Sequence, residues 1–301
     1  MTATPMTALV TGATGYIGSN LCRRLVRDGW RVHAAVRPAS DTALVADVRD
    51  RMAFHVHDGT AAGMSDIVAQ ARPDVVFHLA SLFVAQHRPE QVDGLVASNM
   101  LFGAQLLEAM EGAGVKILVN TGTSWQHYED AQYDPVCLYA ATKQAFGDVV
   151  EFYVRARGLR CVTLTIFDSY GPADPRPKLF TLLRNAAGGG APLAMSPGMQ
   201  RLDLVFIDDI VEAYCTAAAR LIDGQETGHG RYCVRSGDPK SLREIAALYS
   251  SVTGRPLSID WGGRPYRDRE VMEPYGGGVT LPGWKPLVGL EEGIRRMEGL
   301  R

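Results

Sequence analysis

The chain has 301 residues, 46% of them hydrophobic and 21% charged, and its 31 basic and 33 acidic side chains leave a net charge of −2. That balance gives no electrostatic reason to expect a nucleic acid or an anionic membrane as partner, and the length is ample for a large buried core. Five cysteines (Cys22, Cys137, Cys161, Cys215 and Cys233) are odd in number and scattered, with neither metal-ligand spacing nor an even disulfide framework, which suits a reducing cytoplasm. The first seven residues are short and polar, and no run approaches the ~18 apolar residues of a membrane span, so a soluble cytoplasmic protein is expected.

The first element is a strand over Ala8, Leu9 and Val10, after which Tyr16, Ile17, Leu21, Leu25 and Val26 recur at helical spacing. Between the two patterns lie Gly12, Gly15 and Gly18. Gly12 permits a tight turn, Gly15 lets backbone N–H groups approach a pyrophosphate, and Gly18 lets the helix pack close to the strand, with the helix N-terminus facing the phosphate charge. The stretch reads as a dinucleotide site.

Residues 31–36 read as the second strand. An NAD-selecting site places Asp or Glu at its end to accept from the ribose 2′-hydroxyl, but here Arg37 follows. A guanidinium binds a 2′-phosphate in a forked geometry, so NADP is the expected cofactor, with Ser40 as a second donor; the alternative is a solvated surface arginine. A weaker third strand over residues 52–57 ends at Asp58, Gly59 and Thr60. Asp58 is placed either to accept from the adenine amino group or to serve as a plain turn residue. A helix over residues 64–71 is closed by Pro73, and residues 74–81 form a fully apolar buried strand. Its His78 reads as a core histidine rather than a catalyst, while Ala80 and Ser81 emerge beside the cofactor.

Residues 91–110 read as one long helix in which Leu95, Asn99, Phe102, Leu106 and Met110 share a stripe, ended by Gly112 and Gly114. Asn99 in that stripe either ties down backbone or relays a water near the site. A strand over residues 116–120 delivers a hydroxyl-rich turn of Thr121, Gly122, Thr123 and Ser124. A second long helix spans 138–157 and carries Tyr139 and Lys143 at i and i+4, on one face. Residues 160–166 make a sixth strand, and the alternation to this point argues for a parallel sheet flanked by helices. Beyond Pro172 the rhythm breaks into Pro- and Gly-rich loops around helices at 178–187, 208–221 and 242–253, the last opened by a capping box of Ser241 and Glu244. This irregular half reads as a lid carrying substrate contacts.

A Tyr-x-x-x-Lys pair following a hydroxyl-rich strand end has its own chemical logic. The Lys143 ammonium beside Tyr139 is expected to favour phenolate and bring the phenol toward working pH, so that Tyr139 exchanges a proton with a carbonyl or alcohol. A neighbouring Ser or Thr hydroxyl polarises the same oxygen, and a nicotinamide delivers or accepts hydride at the carbon.

Together the glycine loop, the strand ending His78-Leu79-Ala80-Ser81 and the segment Tyr139-Ala140-Ala141-Thr142-Lys143 resemble the extended short-chain dehydrogenases/reductases, which comprise nucleotide-sugar epimerases, dehydratases and ketoreductases. The resemblance spans essentially the whole chain. It is nearest to CDP-abequose synthase-like 4-ketoreductases through residues 120–128 and 138–143. It implies an α/β architecture, a Rossmann-type doubly wound parallel sheet over residues 1–170 that carries the catalytic pair, with a smaller, irregular substrate-binding region over 171–301 that is intertwined and does not fold independently. It also implies cofactor contacts from Thr14, Tyr16, Ile17, Leu79, Asn99 and Thr121, and from Phe167 and Ser169 where the chain crosses to the substrate half. Substrate contacts fall on Phe83, Ser124, Trp125, Asp168 and Arg267. Leu202 stands where the family has an arginine, which moves the expected diphosphate contact to Arg201. Counting from Gly114 puts the catalytic hydroxyl at Thr123 and counting back from Tyr128 puts it at Ser124; Thr123 is chosen because strand length drifts less than the loop.

These features point to NADPH-dependent reduction of a keto group, at C4, of a nucleotide-activated deoxysugar. An epimerase or dehydratase with retained NAD(P) is the first rival. A non-catalytic NADP-binding regulator is the second, and intact Tyr139 and Lys143 stand against it. The helices at 91–110 and 138–157 resemble the family's pairing surface and imply a homodimer.

Overall fold

Buried parallel strands need cover on both faces. The computed structural model, which describes residues 5–189 and 191–300, provides it with helices on either side of one sheet. Most of the polar segment 1–7 and Gly190 of the glycine-rich loop lie outside the described residues. In chain order the N-terminal half runs β1 (Thr7–Thr11), α1 (Tyr16–Arg27), β2 (Arg31–Val36), β3 (Met52–Val56), α2 (Ala61–Ala71), β4 (Val75–His78), α3 (Val92–Val96), α4 (Phe102–Gly112), β5 (Ile117–Thr123), α5 (Leu138–Arg157) and β6 (Arg160–Ile166). There follow β7 (Asp168–Tyr170), α6 (Leu179–Ala186), β8 (Leu193–Met195), β9 (Arg201–Leu202), β10 (Leu204–Phe206), α7 (Ile207–Ile222), β11 (His229–Val234), β12 (Lys240–Ser241), α8 (Leu242–Thr253), β13 (Ile259–Trp261) and α9 (Leu290–Glu298).

The central sheet has seven parallel strands in the order β3-β2-β1-β4-β5-β6-β11, so the strand order reverses between β1 and β4. Ligands of such sheets bind in the crevice outside the carboxyl ends of the strands at that reversal. Alternation along the strands feeds two cores. Val10, Phe77 and Val119 face α1 and α7, where Leu21, Leu25, Ile210 and Tyr214 pack, while Leu9, Val76 and Leu118 face Met64, Ile67, Leu107 and Phe146. Among the described residues the second half has no large sheet of its own and makes three two-stranded pairs, β7 with β10, β8 with β13 and β9 with β12.

Five elements differ from the sequence reading, the first being β4, which ends at His78 so that Leu79, Ala80 and Ser81 follow it outside the strand. The 91–110 helix is interrupted by a π-turn at Ala97–Leu101 that separates α3 from α4 and carries Asn99. The Thr121–Thr123 segment continues β5 rather than turning. Helix α2 begins three residues early because the Thr60 hydroxyl accepts from the Gly63 N–H at 3.0 Å and caps it. The seventh strand, β11, comes from beyond residue 170 and pairs with β6 from His229 opposite Cys161 to Val234 opposite Ile166.

Candidate active site

The glycine loop joins β1 to α1 beside the exit of β4. Gly12 has φ +72°, and a Cβ there would stand 2.7 Å from the Ala80 backbone nitrogen; one on Gly18 would stand 2.1 Å from the Gly12 carbonyl oxygen. Both contacts exclude any side chain. Gly15 is exposed as the N-cap of α1, and its N–H closes the turn on the Gly12 carbonyl at 3.0 Å. A backbone-lined cradle at a helix N-terminus, with Thr14 half-buried beside it, fits the phosphates of a dinucleotide. The Tyr16 hydroxyl donates to the Pro172 carbonyl at 3.2 Å and the Arg176 guanidinium lies 4.6 Å over its ring, so Tyr16 ties the loop to the second half of the chain.

At the end of β2, Arg37 and Ser40 close a turn: the Arg37 N–H donates to the Ser40 hydroxyl and the Ser40 N–H to the Arg37 carbonyl, both at 3.0 Å. The Arg37 guanidinium is exposed and has no hydrogen bond or ion pair among the described residues. Asp58 behaves as a turn residue, its Oδ1 accepting from the Thr60 N–H and hydroxyl at 2.8 Å each. These bonds hold its carboxyl below the usual range. Gly59 follows in the left-handed region at φ +91°.

Asn99 is committed within the protein. Its Oδ1 accepts from the Ser81 hydroxyl (3.0 Å) and the Leu82 N–H (2.8 Å), and its Nδ2 donates to the Leu82 carbonyl and the Thr142 hydroxyl, both at 3.0 Å. With 1% of its surface exposed, it ties down backbone and positions Ser81, and it does not present a polar atom to the crevice. His78 is fully buried, hydrogen-bonded through Nδ1 to the Thr11 hydroxyl at 2.8 Å, and pushed down to about 3 by burial and the Lys143 charge, so it stays neutral.

Along the carboxyl edge of the sheet runs a cavity of about 550 Å³. It brings together Ile17, Leu79, Ser81, Phe83, Thr121, Thr123, Ser124, Trp125, Tyr139, Lys143, Phe167, Asp168, Ser169, Arg201 and Arg267. Gly12, Thr14, Gly15, Tyr16, Gly18, Arg37, Ser40, Asp58, Gly59, Ala80 and Asn99 are not part of its lining. Phe83, 53% exposed, meets Tyr139 edge-on at 5.0 Å and Trp125 at 5.3 Å, and the Arg267 guanidinium lies 5.4 Å over Trp125. These aromatic faces form one wall.

At the centre, burial pushes the Tyr139 phenol up to about 12, with the Ser81 and Thr123 hydroxyls pulling the other way. Burial also pushes Lys143 down to about 8. Burial thus opposes the expected activation of Tyr139 toward phenolate. The Thr123 hydroxyl accepts the Trp125 N–H at 3.3 Å, which leaves its proton available; Ser124 lines the same cavity, its hydroxyl without a hydrogen bond among the described residues. The Thr121 hydroxyl donates to the His78 carbonyl at 2.8 Å and so accepts, at 2.7 Å, the hydroxyl proton of Tyr214. Tyr214 reads in the sequence as one more apolar position of α7, and Arg176 as a loop arginine; only the fold brings them to the site.

The C-terminal tail contributes Arg267, Glu270, Val271 and Pro274 to the cavity and is pinned to the segment 127–134. Tyr275 stacks on His127 at 3.9 Å, Asp130 accepts the N–H groups of Gly276 and Gly277 at 2.9 and 3.1 Å, and Arg269 pairs with Asp134 while lying 4.2 Å over Tyr128. Glu129 and Asp130 adopt left-handed backbone (φ 50° and 61°), a strained conformation that these contacts hold in place.

The sheet agrees with the comparison to known proteins: the chain belongs to the NAD dependent epimerase/dehydratase family, whose profile matches residues 8–229. It is an enzyme of the extended short-chain dehydrogenase/reductase type. It is 24% identical to the CDP-abequose synthase of Salmonella muenchen and 28% identical to the UDP-glucose 4-epimerase of Mycolicibacterium smegmatis, each alignment covering 97% of both chains. The Thermus thermophilus UDP-glucose 4-epimerase, solved as a complex with NAD, matches with a TM-score of 0.80 at 25% identity over 97% of both chains.

Proposed function

We propose that the chain reduces the keto group, at C4, of a nucleotide-activated deoxysugar with NADPH. The observation that carries this reading is the convergence of Tyr139, the Thr123 hydroxyl and Lys143 on one cavity at the carboxyl edge of the sheet. Donation to a ketone needs a phenol that keeps its proton until the reaction draws on it, as a tyrosine does near neutral pH and as burial reinforces here. The Gly12–Gly18 cradle, Thr121, Phe167 and Ser169 would hold the cofactor, which when bound supplies the hydride. Thr123 hydrogen-bonds the carbonyl oxygen, Tyr139 donates the proton to it, and the Lys143 cation stabilises the phenolate left behind. Phe83 and Trp125 offer the sugar an apolar face, while Ser124, Asp168, Arg201 and Arg267 offer it polar contacts.

NADPH is supported by Arg37, a guanidinium without a partner among the described residues where an NAD-selecting carboxylate would stand. The similarity to UDP-glucose 4-epimerases favours a second reading, oxidation and re-reduction of one carbon on a retained cofactor. Assaying NADPH oxidation against CDP-, UDP- and dTDP-linked 4-keto-6-deoxysugars separates the two: stoichiometric consumption with one of them supports the reductase, and epimerised product without consumption refutes it. A homodimer is part of the same proposal. Leu101 and Phe152 in the two expected pairing helices are each 52% exposed, and a monomer at micromolar concentration in sedimentation would contradict it.

A further inference from the structure

Thr123 and Tyr139 must meet one carbonyl oxygen, yet they belong to different elements: Thr123 ends β5 and Tyr139 lies in the first turn of α5. Groups that act together on a substrate need their relative placement held to within about 0.5 Å. One run of side chains joins the two elements. Thr123 is the N-cap of a short helical turn, Ser124–Gln126, and Gln126 closes a capping box by accepting the Thr123 N–H on Oε1 at 3.0 Å. The Gln126 Nε2 donates in turn to the Gln144 Oε1 at 2.7 Å, and the Gln144 Nε2 to the Asp148 carboxylate at 3.3 Å. Gln144 and Asp148 are on α5, and Gln144 directly follows Lys143.

The direction of this run is fixed at both ends. A backbone N–H only donates and a carboxylate only accepts, so each amide turns its oxygen toward Thr123 and its nitrogen toward Asp148. A glutamate at 126 would complete the capping box equally well, but it has no proton to give Gln144. Gly122 makes the room: a Cβ there would stand 3.3 Å from the Gln126 Oε1 and 3.2 Å from the Thr163 Cγ2. The backbone of the same turn holds the segment that leads into α5, the Gln126 carbonyl accepting the Asp134 N–H and the Trp125 carbonyl the Val136 N–H, both at 2.9 Å. Neither Gln126 nor Gln144 lines the cavity, so any effect on the reaction passes through Thr123.

We propose that Gln126 is a positioning residue for the reduction, tying the Thr123 backbone to α5 through Gln144 and so fixing the Thr123 hydroxyl relative to the Tyr139 phenol. The inference rests on the reduction reading above.

The test compares the wild type with Gln126→Met, Gln144→Met and Gln144→Glu. It follows NADPH oxidation with CDP-, UDP- and dTDP-linked 4-keto-6-deoxysugars, NADPH binding by fluorescence, and hydrogen exchange of the Thr123 N–H. Gln126→Met loses both bonds, Gln144→Met leaves the capping box and loses only the tie, and Gln144→Glu keeps an acceptor for Gln126. The expected result is a kcat lowered roughly ten- to a hundredfold in Gln126→Met and less in Gln144→Met, with most of kcat kept in Gln144→Glu and with keto-sugar KM and NADPH Kd unchanged in all three. Near-wild-type kcat in Gln144→Met, or equal losses in Gln144→Met and Gln144→Glu, would overturn the assignment. So would NADPH binding lost in step with kcat, because Gln126 would then be structural. If the wild type reduces none of the keto sugars, the reduction reading itself fails; faster exchange of the Thr123 N–H in both methionine variants then upholds the tie, and unchanged exchange overturns it.

Discussion

Around β1 and β4 the crevice is shaped by backbone meeting backbone, Gly12 against Ala80 and Gly18 against Gly12. On the substrate side it is shaped by charged side chains that meet across the chain: Arg184 with Glu298, Arg201 with Glu273, Arg269 with Asp134. The first kind of contact leaves no room for one extra methyl group. Of the second kind, Arg201–Glu273 and Arg269–Asp134 are half-exposed pairs contributing about 0–1 kcal/mol each, so their members can change without loss of fold, whereas the Glu298 carboxylate is buried beneath Arg184. The cofactor side is therefore rigid, and the substrate side is where specificity can be altered at little cost to stability. Tyr139 and Lys143 lie at the junction, on a helix anchored in the sheet core through Phe146 and Val150.

Substitutions on the two sides should fail in different ways. The largest effect is expected at the junction. Tyr139→Phe keeps the ring and its contact with Phe83 but removes the proton, so turnover should fall by roughly a hundred- to ten-thousandfold while NADPH binding measured by fluorescence is retained. Near-normal kcat in this variant would move proton donation to another group. Next is the cradle: Gly18→Ala forces the new Cβ against the Gly12 carbonyl, an overpacking cost of about 1–3 kcal/mol, and should weaken NADPH binding about ten- to a hundredfold. An unchanged Kd would mean that the loop is not the phosphate site.

The pH dependence probes the junction without a substitution. Lys143 is pushed down to about 8, so it is cationic below that pH and neutral above it. Reduction that relies on its charge should be fully active below pH ~8 and decline about tenfold per unit above it, as expected for a single titrating group. A flat kcat profile from pH 7 to 10 would remove Lys143 from the phenolate-stabilising role. The smallest effect is at the edge of the cofactor side, where Arg37→Asp should move the kcat/KM ratio toward NADH by about tenfold, one charged hydrogen-bond partner lost to NADPH. An unchanged ratio would leave Arg37 a surface residue.

The same division explains what the sequence makes legible. The glycine loop is read directly because its constraint is local: the residues that must lack a side chain are within one turn of each other. Tyr139 and Lys143 are read from helical spacing. Their electrostatics are not, because burial of both groups decides the sign and burial is a property of the fold. Strand β11 carries no signal of its own; of its residues only Cys233 and Val234 are buried, and the apolar run that marks a central strand is absent. The π-turn at Ala97–Leu101 is hidden inside a continuous apolar stripe. The pairs that occupy the arginines of the cavity join residues as far apart as 114 positions, and no periodicity encodes them.

The central claim is net reduction, and transfer of the label from NADPH deuterated at the reactive C4 position tests it most directly. With the true keto sugar, one deuterium per turnover should appear at the former carbonyl carbon of the product, matched by one NADPH oxidised, and both should be lost together in Tyr139→Phe. Product formed without deuterium, and with the cofactor pool unchanged, would contradict the account.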